Sequence, residues 1–390
     1  MNFDYSEEQT LIKDSVAKYL QNNYDFDTRK KIAASELGYS NEHWQQFAEL
    51  GWLAIPFAEH LGGFGGNAID DAIVMEELGK GLALEPYLAC VIMFGGLLAN
   101  GPDASRHEQD IAAIIDGSLQ GAVAFTETQS RYELADVKTT ASLSNGQYIL
   151  NGEKVVVANG QAADKLIISA RTAGEQSDTT GITLFYVDAN AAGVSKTDYP
   201  MMDGHRVANI TLTDVAVDSE NIVGEVHHGY DNLARAIDRA IIATAAEALG
   251  IMEKLLHTTV AYTQTRKQFG VAIGSFQALQ HRMVDMFINV EQTRSLLLRS
   301  ACSNIAAHQA SDPNTCEELL KQSKQDTLAL KVMVAQVGKL VGDEALQMHG
   351  GIGMTDELDV GHYVKRLLRI NTMFGDEDYS MQAFAKGSLG

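Results

Sequence analysis

A guanidinium, two phenyl rings and a helix start are crowded into Arg266-Lys-Gln268-Phe269-Gly270-Val-Ala-Ile-Gly-Ser-Phe276-Gln277. The spacing predicts a long helix that stops at Phe269-Gly270, a turn through Gly274, and a second helix opening at Ser275. Glycine just past a helix and serine just before one are the usual stop and start signals. Arg266 is then expected in a last helical turn, beside the free N–H groups of the next helix, a combination that binds anions. Phe269 and Phe276 would add flat apolar walls. Charge, amide donors and aromatic faces are together what a dinucleotide cofactor needs.

Two further clusters could carry chemistry. In Gln347-Met-His-Gly350-Gly351-Ile-Gly353, consecutive glycines either let the backbone approach a pyrophosphate or adenine closely, or simply turn the chain between two helices. In Ala240-Ile-Ile-Ala-Thr-Ala-Ala-Glu247-Ala-Leu-Gly-Ile-Met252, Glu247 is the only ionisable residue between Arg239 and Glu253. Burying a lone carboxylate is costly unless it works or is paired. Glu247 therefore reads as a general base or as a structural glutamate bonded to a neighbouring helix. Gly62 to Gly66 lacks a preceding strand and a following Lys-Ser/Thr, so it reads as a turn rather than a phosphate loop.

The elements that must position these residues fall into three regions. Residues 1–120 are helical: Ser6-Glu-Glu-Gln9 is a capping box, Leu11, Ile12, Val16, Tyr19 and Leu20 follow at helical spacing, and Asn41 is expected to cap a helix carrying Trp44, Phe47 and Leu50. Residues 121–226 switch to short strands, among them Tyr148-Ile-Leu, Lys165-Leu-Ile-Ile, Thr183-Leu-Phe-Tyr-Val and Ile210-Thr-Leu. Asn145-Gly146, Asn151-Gly152 and Asn159-Gly160 read as turns separating them. Strands so spaced, without helices between them, predict an antiparallel barrel-like or sandwich domain rather than a Rossmann unit. Residues 227–390 return to helix. Tyr230 to Phe269 and Thr315 to His349 are each long enough to span ~50–60 Å at 1.5 Å per residue, which predicts a helix bundle. The fold class is α+β and multidomain.

Composition narrows the function. The 390 residues are 45% hydrophobic and 21% charged, the balance of a folded globular chain with room for several domains. A formal charge of −21 and the lack of any basic run argue against nucleic-acid binding. No apolar stretch reaches the ~18 residues of a membrane span. The acidic, helical N-terminus is read as neither a secretory signal nor a transit peptide, and the protein is expected to be cytoplasmic. Cys90, Cys302 and Cys316 lack the spacing of a disulfide framework or a zinc site, so no metal is expected.

The chain also resembles the flavin-dependent acyl-CoA dehydrogenase family. The likeness rests on Arg266-x-Gln268-Phe269-Gly270 with Phe276-Gln277, on Ala124-Phe125-Thr126-Glu127, on Gln347-x-x-Gly350-Gly351-x-Gly353, on Asn151-Gly152-Glu-Lys154, and on Trp44…Leu50-Gly51…Gly62-Gly63-Phe-Gly65-Gly66. These ordered matches span nearly the whole chain. The resemblance implies an N-terminal helical domain, a central β domain and a C-terminal four-helix bundle. It implies FAD held by Phe125, Thr126, Arg266, Gln268, Phe269, Phe276, Gln277, Gln347, Gly350 and Gly351. It implies an acyl-CoA substrate near Ser130, Tyr132 and Arg239, with Arg131, Lys138 and Arg235 as further cations for a polyanionic thioester.

A carboxylate would take the α proton while the β hydride passes to the flavin, and an electron-transferring flavoprotein would take the electrons. A homo- or hetero-tetramer working in fatty-acid or steroid side-chain β-oxidation is the implied setting. The Arg266 and Gln347 segments are expected to come from different subunits. The family's usual catalytic glutamate aligns here with Gly375, and an alternative position aligns with Ala240. Thr128-Gln-Ser130-Arg131-Tyr132, Val156 and Ala158 also depart from the family pattern. Glu247, seven residues beyond Ala240 on the same helical face, is the leading candidate base, with Asp376 or a partner chain as alternatives. A non-catalytic partner subunit is the rival reading.

Overall fold

The structure, a computed structural model, describes residues 5–101 and 104–389, so Met1–Asp4 of the acidic N-terminus lie outside it. In chain order come helices α1 (Glu7–Asn23), α2 (Phe26–Ala33), α3 (Asn41–Glu49), α4 (Ala68–Gly81), α5 (Gly96–Ala99) and α6 (Glu108–Ile115). Strands β1 (Gly121–Ala124), β2 (Thr140–Ser144), β3 (Gln147–Ala158), β4 (Lys165–Arg171), β5 (Ile182–Asp188), β6 (Val194–Pro200), β7 (Arg206–Asp218) and β8 (Ile222–Val223) follow. Then come α7 (Gly229–Thr265), a miniature hairpin of β9 (Lys267–Gln268) and β10 (Val271–Ala272), α8 (Gln277–Gln309), α9 (Pro313–His349), α10 (Val360–Thr372) and α11 (Glu377–Leu389). Helices, a central sheet and a C-terminal helical bundle are the order that the periodicity predicts.

In space the chain forms two compact units that cut across this order. One gathers residues 1–30, 67–83 and 241–390; the other gathers 31–66 and 84–240.

In the helical unit α8 packs on α9, α10 and α11 lie against α9, and α1 lies against α4. α1 opens with the expected capping box: Ser6 Oγ accepts from Gln9 N and Gln9 Oε1 accepts from Ser6 N, both at 3.1 Å. α4 and α7 cross backbone to backbone. A Cβ on Gly79 would lie 2.2 Å from the Glu247 carbonyl oxygen, and one on Gly250 would lie 1.9 Å from that of Glu76. Only glycine permits so close a crossing. Arg294 of α8 locks it, donating to both Glu76 oxygens at 3.1 Å and to Glu253 at 3.0 Å, while Lys80 sits 2.9 to 3.1 Å from Glu76, Glu77 and Glu253.

The other unit is built on one sheet of order β6-β7-β3-β2-β4-β5-β8, with β1 paired to β4. Leu150, Leu166, Ile168, Phe185, Ile210 and Val215 form its core. Most pairs are antiparallel, but β1 runs parallel to β4, from Gly121 opposite Lys165 to Ala124 opposite Ile168. The β2–β3 hairpin lies between them in sequence and gives the chain the length a parallel return requires. Asn145-Gly146 makes the predicted tight turn, with φ of 51° and 87°. Asn151-Gly152 does not separate strands, as predicted, but lies within β3. Asn151 and Asp214 bond across a register shift there, so the glycine serves a bulge instead of a turn. Ser40, not Asn41, caps α3, accepting from His43 N at 3.2 Å.

Candidate cofactor and active site

The Arg266 corner differs from the prediction in detail. α7 ends at Thr265, so Arg266 stands just past the helix, its N–H closing onto the Tyr262 carbonyl at 2.8 Å. The chain does not run straight into a turn. Lys267–Gln268 pair with Val271–Ala272, and Phe269 (φ 54°) with Gly270 (φ 82°) form the hairpin tip. Two successive left-handed residues are what a two-residue hairpin demands. Ser275 caps nothing; its Oγ donates to the Ala272 carbonyl, and α8 begins at Gln277 behind an uncapped Phe276. Phe269 is 91% exposed and packs edge-on to Phe276 at 6.3 Å. Arg266, Gln268 and Gln277 are exposed as well.

At the end of α9, Gln347, Gly350 and Gly351 are exposed, and a Cβ on either glycine would meet nothing within 4 Å. The Tyr262 ring stacks on His349 at 4.4 Å, and its hydroxyl lies 3.3 Å from the His349 carbonyl, which accepts from it. This contact puts the Arg266 corner and the Gly350-Gly351 loop at one end of the same helical unit. Within one chain the two segments are therefore neighbours. An exposed guanidinium, two aromatic faces and open glycine backbone fit a group that is anionic in one part and planar in another.

In the sheet unit, Phe125 and Thr126 follow β1 and are half-buried. The Thr126 hydroxyl has no hydrogen-bond partner among the described residues, which leaves it available as a donor. The next residue anchors the segment. Glu127 is buried and accepts from Lys154 Nζ at 2.7 Å, Lys138 N at 2.8 Å, Thr139 N at 3.0 Å and Gln129 Nε2 at 2.8 Å. Burial pushes the Glu127 carboxyl up, but the Lys154 charge and these donors outweigh it and hold the group down at about 2. Lys154 is fully buried and also donates to Ser169 Oγ at 3.1 Å. Ser130, expected near substrate, is buried, and its Oγ both accepts from Glu127 N and donates to the Glu127 carbonyl at 3.0 Å. Tyr132 and Arg239 are half-buried.

Glu247 is 5% exposed, as its apolar neighbours predict, but it is not a lone carboxylate. Arg366 of α10 donates Nε to Oε1 at 2.6 Å and Nη2 to Oε2 at 2.8 Å. A planar guanidinium gripping both oxygens is a strong, oriented pairing. The sequence lacks a local signal for it, because the partners lie on helices far apart in the chain. Gly375 sits at φ 127°, where a Cβ would fall 2.9 Å from the Tyr379 ring, so a glutamate side chain at that position is strained. Asp376 Oδ1 accepts from Tyr379 N at 2.9 Å and caps the start of α11. Sequence reasoning overlooked Lys331 of α9, whose Nζ is buried and donates to the Ile370 carbonyl at 2.6 Å, closing the end of α10. Burial, with Arg369 adding and Asp376 opposing, holds Lys331 down at about 7. A charged residue at a core position of a long helix is the signal that would have found it.

Comparison with known proteins identifies the family of the chain. Sequence models of the acyl-CoA dehydrogenase N-terminal, middle and C-terminal domains match residues 6–109, 122–215 and 227–389. A "Probable acyl-CoA dehydrogenase YngJ" of Bacillus subtilis is 28% identical over 95% of this chain and 93% of its own length. The mitochondrial isovaleryl-CoA dehydrogenase of Pongo abelii is 29% identical over 92% of this chain and 84% of its own. A solved structure described as "PigA with FAD and proline" superposes with a TM-score of 0.89 at 25% identity, covering 100% of this chain and 99% of that one. Three consecutive domains of one family, in order and over nearly all the chain, decide the matter: the chain belongs to the acyl-CoA dehydrogenase family of oxidoreductases.

Proposed function

We propose that this protein carries out FAD-dependent α,β-dehydrogenation of an acyl-CoA thioester and hands the electrons to an electron-transferring flavoprotein, working as a tetramer in the cytoplasm. The observation that carries the reading is the corner in which Tyr262 and His349 stack, presenting Arg266, Phe269 and Phe276 beside open glycine backbone. Arg266 would face the pyrophosphate, and Gln268, Gln277 and Gln347 would supply polar contacts. Phe125 and Thr126 would meet the polar edge of the ring. Bound FAD would supply the hydride acceptor. Ser130, Tyr132 and Arg239 are the proposed substrate contacts, although the Ser130 hydroxyl is already engaged by the Glu127 backbone. Among the described residues no helix is long and apolar enough to cross a membrane, which agrees with this setting. Exposed Val271, Val284, Phe287, Ile288 and Met354 on the helical unit favour assembly, since apolar side chains so placed mark contact surfaces.

Glu247 is the proposed proton acceptor, and to act it must release one oxygen from Arg366. The second reading is a partner subunit that supplies a cofactor face while another chain supplies the base. The Glu247–Arg366 pair and the glycine at 375 favour it. The purified chain alone separates the two: bound yellow flavin, bleached anaerobically by an acyl-CoA, is expected of the catalyst and not of the partner. For the cofactor assignment, Arg266→Ala removes a charge-assisted contact of roughly 1.5–3 kcal/mol. FAD should then be lost on dilution while the helical circular dichroism persists. Full flavin retention would overturn the assignment of Arg266.

A further inference from the structure

Val156, a β-branched residue, is held at φ 56°, a left-handed conformation that such side chains resist. It lies where the β3–β7 register slips. Lys154 pairs with Ile210 and Val157 with Ala208, so Val155 and Val156 together face the single residue Asn209. This is a β-bulge, a device that redirects backbone and is common beside active sites. Both bulge amides leave the ladder. Val155 N donates to the Thr126 carbonyl at 2.9 Å, and Val156 N donates to Asn209 Oδ1 at 3.1 Å. The same Oδ1 accepts from the Tyr199 hydroxyl at 3.1 Å.

Each link has a physical role. Left alone, a valine relaxes to extended backbone, the bulge slides, and the Val155 amide turns away from Thr126. Asn209, braced by Tyr199, prevents that slide. We propose that Asn209 is a positioning residue: by pinning the left-handed Val156 it fixes the Val155 amide on the Thr126 carbonyl, and so sets the Phe125–Thr126 edge that meets the flavin ring. This rests on the reading, given above, that Phe125–Thr126 is a cofactor contact.

The test is FAD titration of the apoprotein by flavin fluorescence and visible spectrum, together with amide hydrogen exchange at Val155 and Val156. Asn209→Leu should weaken FAD binding about tenfold and alter the spectrum, the effect of a lost bond that held a strained residue. Asn209→Asp keeps the accepting oxygen and should bind as the wild type does. Val156→Gly in the Asn209→Leu background should restore binding, because glycine takes positive φ without the anchor. A merely structural asparagine predicts no such rescue. Thr126→Ala separates the two layers. If it alters binding or spectrum while Asn209→Leu alters neither, the positioning role is overturned and the cofactor reading stands. If Thr126→Ala alters nothing, both fall. Should Asn209→Leu not fold, Tyr199→Phe removes one of the two bonds on Oδ1, and unchanged exchange at Val156 would overturn the proposal.

Discussion

Two buried ion pairs, one in each compact unit, solve the same electrostatic problem differently. In the sheet unit, Glu127 meets the point charge of Lys154 and is also held by the backbone N–H groups of Lys138 and Thr139. In the helical unit, Glu247 meets the two-pronged fork of Arg366. Backbone donors cannot be removed by changing side chains, whereas a fork and its carboxylate can be replaced together. The first pair is therefore built into the path of the chain beside Phe125–Thr126. The second is a clasp between α7 and α10, at the point where α4 crosses α7.

Breaking the sheet pair should have the largest effect. Glu127→Ala strands a fully buried lysine and two backbone N–H groups, and should cost at least about 3–5 kcal/mol. Adding Lys154→Met should recover only part of that, because the Lys138 and Thr139 amides still lack an acceptor. Urea unfolding of both variants checks this, and full recovery in the double variant would erase the contrast.

The helical pair should behave in the opposite way. Glu247→Gln leaves Arg366 imperfectly paired and should cost about 3 kcal/mol, while Glu247→Leu with Arg366→Met should return to within about 1 kcal/mol of the wild type. The same variants bear on catalysis. If Glu247 is the proton acceptor, the flavin-loaded double variant folds yet bleaches at least ~10² more slowly with acyl-CoA. If it bleaches normally, Glu247 only clasps the helices and the base comes from elsewhere.

A smaller effect appears in acid. The folded-state value of Glu127, about 2, lies below its unfolded value, so its stabilisation is complete above ~4.3 and is lost as pH falls through about 2. Glu127→Gln should flatten the stability profile in that window relative to the wild type. An unchanged slope between pH 5 and 2 would mean that the pair does not hold the carboxylate charged.

Local signals made much of this molecule legible. The Ser6–Gln9 capping box, the Asn145-Gly146 turn and the long apolar periodicity of α7 and α9 all appear where the residues indicate. Local signals also misled where tertiary contacts intervened. Asn151-Gly152 carries turn chemistry but is absorbed into β3, because Asp214 across the sheet satisfies it. Phe269-Gly270 carries a helix stop but forms a hairpin tip, because Lys267 and Gln268 find partners in Val271 and Ala272.

The sequence by itself determined the element types, their order along the chain and the residues equipped for anion, ring and proton chemistry. Each of these depends on neighbours within a few positions. Only the tertiary structure decided which charges are paired. Arg366 reaches Glu247, and Lys154 reaches Glu127, across long stretches of chain, and a carboxylate's chemistry depends on what lies within about 3 Å of its oxygens. Likewise, the strain at Val156 arises from a register that β7 imposes on β3, a relation no local pattern records.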